Sequence, residues 1–204
     1  MKNILIFSAM IAAVSSSASL YDVKFLGTGA GKSVAITING SNKTVFAGKL
    51  NFKKNPAGPT FQTVCADLGV SISGGAVYGV TSSFSNVGTA SVKKAGNIVG
   101  ASFNSANSND DAAALQVAVW EALYDGASAP SFSSGNFKAT LSTTVKNKAN
   151  AYYAKISQAG NALYLKSTPS HAGQSQLTAV PEPAALAGLG LGIALIVRRK
   201  ARRA

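Results

Sequence analysis

Short runs in which hydrophobic and polar residues alternate dominate the first half of the chain. A period of two residues is typical of strands that bury one face, and turns rich in glycine, asparagine and proline separate these runs. The pattern predicts five strands, at residues 21–26, 33–39, 44–52, 60–68 and 77–84.

The spacing of apolar residues changes in the second half. A helix is predicted over residues 110–124, with Asn109 or Asp110 as its N-cap and acidic residues in its first turn. A second helix is predicted over residues 143–159, and a final strand over residues 161–166. The sequence therefore predicts a mixed α+β fold, with a β-rich, sandwich-like or barrel-like first half and two helices in the second half.

The N-terminus has the composition of an export signal. Lys2 precedes an apolar run over residues 4–14, and small residues lead up to Ala18, after which a signal peptidase can cut. The run is too short for a lasting membrane anchor, and a serine-rich stretch follows it. Residues 1–18 are therefore predicted to be a signal peptide, so the protein is exported.

The C-terminal residues 180–204 consist of three consecutive parts. Pro181-Glu182-Pro183 precede an apolar segment over residues 184–197, and a basic tail follows over residues 198–204. At a rise of about 1.5 Å per residue, a helix over the apolar segment reaches only about 21 Å across a hydrocarbon core of about 30 Å. This favours a short anchor helix held transiently in the membrane over a permanent single-pass anchor. The tail keeps its end on the cytoplasmic side through its basic residues Arg198, Arg199, Lys200, Arg202 and Arg203.

This order of three parts resembles the PEP-CTERM sorting signal of Gram-negative bacteria. The resemblance implies that an exosortase recognises and cuts the tail, and that the mature protein reaches the cell surface or the extracellular matrix. Between the two targeting segments, residues 19–166 are predicted to form one extracellular domain. The polar residues 167–179 are predicted to be a linker.

The charge of the chain bears on its partners. The formal net charge is +12, but six of the positive charges lie in the targeting segments, and their removal leaves about +6. The thirteen other basic residues are all lysines, and no arginine remains for bidentate phosphate contacts. We therefore expect no nucleic-acid partner. Loose attraction to acidic exopolysaccharide is favoured, with a merely solubilising surface as the alternative.

Conventional catalysis has few candidate residues. His171 is the only histidine and lies in the predicted linker, which argues against a Ser-His-Asp arrangement and a histidine-rich metal site. No metal, cofactor or enzymatic activity is predicted. The rival class is an extracellular hydrolase that uses a pair of carboxylates from among Asp67, Glu121 and Asp125.

The candidate chemistry is a cysteine and glutamine pair. Cys65 is the only cysteine of an exported chain, so it has no partner for an internal disulfide. Gln116 interrupts the apolar stripe of the predicted helix, where a buried amide without a partner costs about 1 to 3 kcal/mol. A thiol and a carboxamide held together away from water can condense to a thioester and release ammonia. The alternatives are a buried thiol beside a hydrogen-bonded glutamine, and an intermolecular disulfide through Cys65.

Two short motifs carry a second resemblance. Residues 64–68 (Val-Cys-Ala-Asp-Leu) and 115–121 (Leu-Gln-Val-Ala-Val-Trp-Glu) resemble the cysteine and Gln-x-Ala-aliphatic-Trp motifs of thioester domains in Gram-positive surface adhesins. The resemblance implies that Cys65 supplies sulfur, Gln116 supplies the acyl carbon and Trp120 packs beside them. It also implies capture of amine-bearing surface molecules. The expected function is covalent adhesion, or else a non-covalent structural role in an exopolysaccharide matrix.

Overall fold

The structure is a computed structural model that describes residues 19–160, 162–168 and 173–180. The predicted signal peptide, His171, the Pro-Glu-Pro motif, the apolar segment and the basic tail lie outside these ranges. Within the described ranges, no helix has both the length and the apolar character that a membrane crossing requires.

The described residues form a mixed α+β fold, which confirms the predicted class. Three helices, α1 (Ala90–Ser102), α2 (Asn109–Tyr124) and α3 (Thr143–Tyr153), follow the first four strands. The seven strands of the sheet are β1 (Ser19–Ile38), β2 (Ser41–Lys54), β3 (Thr60–Cys65), β4 (Val77–Phe84), β5 (Phe137–Thr140), β6 (Ala162–Ser167) and β7 (Gln176–Ala179).

Six of the strands close into an antiparallel barrel. The pairing runs β1, β2, β3, β7, β6, β4 and back to β1, while β5 extends the far end of β1. β1 pairs with β2 through residues 23–38 on one edge, and with β4 through residues 19–24 and β5 through residues 35–38 on the other. Gly31 faces Gly48 beside a shift in this register, and a β-carbon on either glycine would collide with the facing backbone.

α2 is buried along nearly its whole length. Every residue from 112 to 122 is buried, as expected for a helix that is apolar on all sides. One side contributes Ala113, Val117 and Trp120 to the core of the barrel. The opposite side packs with α1 and α3 through Leu115 and Val119. Gln116 therefore lies in the dry interior between the barrel and the helical layer.

Several predicted boundaries are wrong. The strands predicted at 21–26 and 33–39 are one strand, β1, because its glycines let the backbone bend without ending the ladder. α2 is capped by Ser108 rather than Asn109 or Asp110, since the Ser108 hydroxyl accepts the Asp111 N–H at 3.1 Å. α3 ends at Tyr153, and turns follow it before Gly160.

Three elements were not predicted at all. α1 and β5 were missed, and β7 lies inside the residues predicted to be a linker. The linker prediction is therefore wrong at Gln176–Ala179, which complete the barrel between β3 and β6. The two apolar clusters bring together residues from β1 to β7, so residues 19–180 carry a hydrophobic core.

Candidate functional site

Cys65 is the last residue of β3, at a place where the ladder with β2 has already ended. β2 pairs with β3 only as far as Lys49 and Val64, whereas β7 continues on the other edge and pairs Gln176 with Cys65. The next residue, Ala66, donates its N–H to the Ser175 carbonyl at 2.8 Å. Because backbone groups alternate between the edges of a strand, the N–H and C=O of Cys65 face the edge that β2 has left.

The side chain of Gln116 satisfies both of these backbone groups. The Cys65 N–H donates to Gln116 Oε1 at 2.7 Å, and Gln116 Nε2 donates to the Cys65 carbonyl at 2.8 Å. The amide thus takes the place of a strand residue at the open edge. Gln116 is 0% exposed and Cys65 is 3% exposed, so water is kept away from the pair. The structure therefore brings together the two residues that the sequence singled out.

The thiol of Cys65 is held by the turn that follows β3. Its Sγ donates to the Asp67 carbonyl at 3.0 Å and accepts the Asp67 N–H at 3.3 Å. Burial raises the pKa of the thiol to about 12, and the bond to the Asp67 backbone and the nearby Trp120 indole oppose this only in part. The group is therefore a neutral thiol at neutral pH.

Trp120 lies beside the thiol, one helical turn after Gln116. Its side chain influences the pKa of Cys65, yet its Nε1–H has no hydrogen-bond partner in the described structure. A buried indole N–H is usually paired, so this donor is available to an acceptor placed near the sulfur. The predicted packing position of Trp120 thus also brings a polar group to the site.

A cleft of about 350 Å³ reaches Cys65, and we call it the Cys65 cleft. It lies between β2 and the segment that follows β3, and both Cys65 and Trp120 are among its lining residues. Tyr124 positions this segment, because its hydroxyl accepts the Leu68 N–H at 2.9 Å. Burial raises the pKa of Tyr124. Sequence reasoning missed Tyr124, although its place one turn after Trp120 on the same helix could have indicated it.

The candidate hydrolase carboxylates each accept hydrogen bonds from loop backbone, while Glu121 lies close enough to Asp125 for their charges to interact and its buried Oε2 has no partner in the described structure. Glu121 Oε1 accepts the Ser131 N–H at 2.9 Å, and burial raises the pKa of this carboxyl. The oxygens of Asp125 accept the N–H groups of residues 136 and 137 at 2.8 and 2.9 Å. Asp67 Oδ1 accepts the Gly69 N–H at 2.8 Å. Each carboxylate thus holds a loop backbone, and no group of three or more metal-ligating side chains occurs in the described ranges.

Comparison with known proteins identifies the C-terminal segment. The PEP-CTERM protein-sorting motif matches residues 179–203. The chain therefore carries the sorting signal of an exported protein that is anchored at the membrane and then processed by exosortase. No curated protein and no solved structure matches the chain.

Proposed function

We propose that this exported protein attaches covalently to its target through an internal thioester between Cys65 and Gln116. The observation that carries the proposal is the pair of hydrogen bonds that fixes the Gln116 carboxamide against the backbone of Cys65. These bonds hold the Gln116 carboxamide at the residue that carries the sulfur, which would lower the entropic cost of a reaction between them.

In the proposed condensation, each polar atom of the pair has a role. Cys65 Sγ attacks the Gln116 carbonyl carbon, and the negative charge that develops on Oε1 is stabilised by the Cys65 N–H already bound to it. The C–N bond then breaks, and the nitrogen leaves as ammonia with the proton of the thiol. The bond from Nε2 to the Cys65 carbonyl orients this nitrogen before it leaves.

Burial protects the product until a suitable nucleophile arrives. The thioester would lie where Gln116 is fully buried, which would slow its hydrolysis, and the Cys65 cleft is the route by which an amine would approach Cys65. A neutral amine that enters attacks the carbonyl carbon and forms an amide with Gln116, and the Cys65 thiol is released. The protein is then bound to its target by one amide bond and does not turn over.

The test is the intact mass of residues 19–180, purified without strong nucleophiles, with Cys65→Ala as the matched control. The parent is expected to be lighter than its sequence by one ammonia and the control is not. Methylamine should then add to the parent and leave the control unchanged. An unmodified parent whose Cys65 is alkylated after unfolding would show that no thioester forms.

A second candidate function is non-covalent binding to an acidic exopolysaccharide. Thirteen lysines and six acidic residues lie between the targeting segments, and lysines such as Lys43 and Lys146 are exposed. A surface with this excess of cations attracts a polyanion in a salt-dependent way. The protein should be retained on a polyuronate column at low salt and released at physiological salt. Retention that is unchanged at physiological salt would argue against electrostatic binding.

A further inference from the structure

We propose that the Cys65 cleft reversibly binds an aliphatic carboxylate, whose chain lies against the apolar wall and whose carboxylate lies at Lys43. This binding is separate from the thioester and does not require it. The lining of the cleft is mostly apolar, and its one charged residue, Lys43, is positive.

The wall of the cleft suits a short hydrocarbon chain. A volume of about 350 Å³ holds about twelve groups of the size of a water or a methylene, at roughly 30 Å³ each. Apolar walls with a few polar groups are typical of small-molecule sites. The apolar lining residues are Phe25, Val45, Phe46, Leu50, Leu68, Val70, Ile72 and Trp120.

The charge of the lining selects an anion. Lys43 is the charged residue of the lining, and it shares a strand face with Val45 because side chains alternate along β2. It is exposed and takes part in neither of the two ion pairs of the described structure. No carboxylate lines the cleft, and Asp67, the nearest in sequence to Cys65, binds the Gly69 N–H. A ligand ammonium would therefore meet a lysine and no counter-ion.

Trp120 also lines the cleft, at the end where Cys65 lies. Its buried Nε1–H lowers the pKa of the Cys65 thiol as a hydrogen-bond donor, so it serves the sulfur and not the carboxylate at Lys43. Lys43 therefore favours a carboxylate over an ammonium, and the indole ring of Trp120 reports on the apolar chain.

The chain offers a built-in probe of this cleft, because Trp120 is its only tryptophan. Residues 19–180 would be titrated with decanoate, and separately with decyltrimethylammonium, each below its critical micelle concentration. Decanoate is expected to change the Trp120 emission in a saturable way, and the cation of equal chain length is not. Lys43→Glu should weaken decanoate binding by roughly ten-fold, since it reverses a partly exposed ion pair.

Lys146→Glu is the matched control, because Lys146 is an exposed lysine on α3 that does not line the cleft. It should leave the decanoate affinity unchanged, and both variants should unfold at the same temperature as the parent. Equal binding of the two amphiphiles, or no saturable change, would overturn the proposal. Cys65→Ala should still bind decanoate, so a missing thioester and a missing carboxylate site give different results.

Discussion

The glutamine that closes the open edge of β3 offers the sharpest test of the site. We consider Gln116→Leu made in the Cys65→Ala background, where no thioester can form. Both hydrogen bonds of the amide go to the backbone of residue 65, so they persist in that background and are lost only with the leucine. The comparison therefore isolates the two bonds from any covalent chemistry.

The expected loss of stability follows from burial. An unpaired backbone group in the interior costs about 1 to 3 kcal/mol, and here one N–H and one C=O lose their partner together. The leucine recovers about 1 to 2 kcal/mol through its greater hydrophobicity. At the middle of these ranges, two groups at about 2 kcal/mol each less about 1.5 kcal/mol give a fall in the free energy of unfolding of about 2.5 kcal/mol. This corresponds to a melting point lower by roughly 5 to 10 °C for a domain of this size.

Urea unfolding followed by Trp120 fluorescence measures this difference. Gln158→Leu is the matched control, because Gln158 is exposed beyond α3 and its replacement should change stability by no more than about 0.5 kcal/mol. If Gln116→Leu is as mild as this control, the amide does not satisfy the backbone of residue 65 and the reasoning fails. The Gln116→Glu variant tests the same site through pH. Burial should raise the pKa of the new carboxyl in the folded protein, so the free energy of unfolding of this variant should be greatest in acid and should fall as pH rises through that pKa.

Three further predictions concern titration and packing. Because burial raises the pKa of Cys65 to about 12, iodoacetamide should alkylate any free thiol of the folded protein far more slowly than that of the unfolded chain, and equal rates would contradict this. Burial, then repulsion from Asp125, raises the pKa of Glu121, so the free energy of unfolding should fall as pH rises from the unfolded value of about 4.3 through the folded pKa. Urea melts from acid to neutral pH should show that Glu121→Gln removes this part of the slope. Gly96→Ala places a β-carbon against Ser85 and should cost about 1 to 3 kcal/mol in thermal melts, whereas Gly74→Ala, which meets open space, should cost much less.

The elements predicted correctly are those whose pattern lies within a short stretch of sequence. The pattern of α2 combines acidic first-turn residues with a long apolar stretch, and its prediction was accurate to within a residue at its start. The boundaries of β4 were also predicted correctly. β1 was split because Gly29 and Gly31 suggest a turn, whereas the register with β2 shows a bend inside one continuous strand.

β7 shows why a buried strand is not always predicted from the pattern of hydrophobic residues. Its first residue, Gln176, is buried through hydrogen bonds, since Oε1 accepts from the Thr63 hydroxyl at 2.9 Å and Nε2 donates to Gln174 Oε1 at 2.9 Å. Polar groups satisfied in this way cost little in the interior, but in the sequence they are typical of a linker. Thr63 is 113 residues away in sequence, so no local window contains this partner.

The candidate site was predictable as a pair of unusual residues but not as a geometry. A lone cysteine and an amide in an apolar stripe are visible in the sequence. Their contact depends on where β2 leaves β3, which is set by the pairing of β2 with β1 and thus by the closure of the whole barrel. Nor could spacing show that Lys43 would stand at the mouth of the same cleft.

The position of β7 also determines how the protein would carry load. Val180 alone separates the end of β7 from Pro181, so a tail tethered to the envelope pulls directly on a strand of the barrel. That strand is paired to Cys65 through Gln176 and to β6 along four residues. Tension on the tail therefore reaches β3, the strand that carries Cys65, directly through the pair of Gln176 with Cys65. Drag on a captured target would act on α2, because the amide forms with Gln116, whereas tension in the anchor would act on β7. β3 lies between them, since Cys65 is hydrogen-bonded to Gln116 and paired with Gln176, so its contacts would be among the first to be strained.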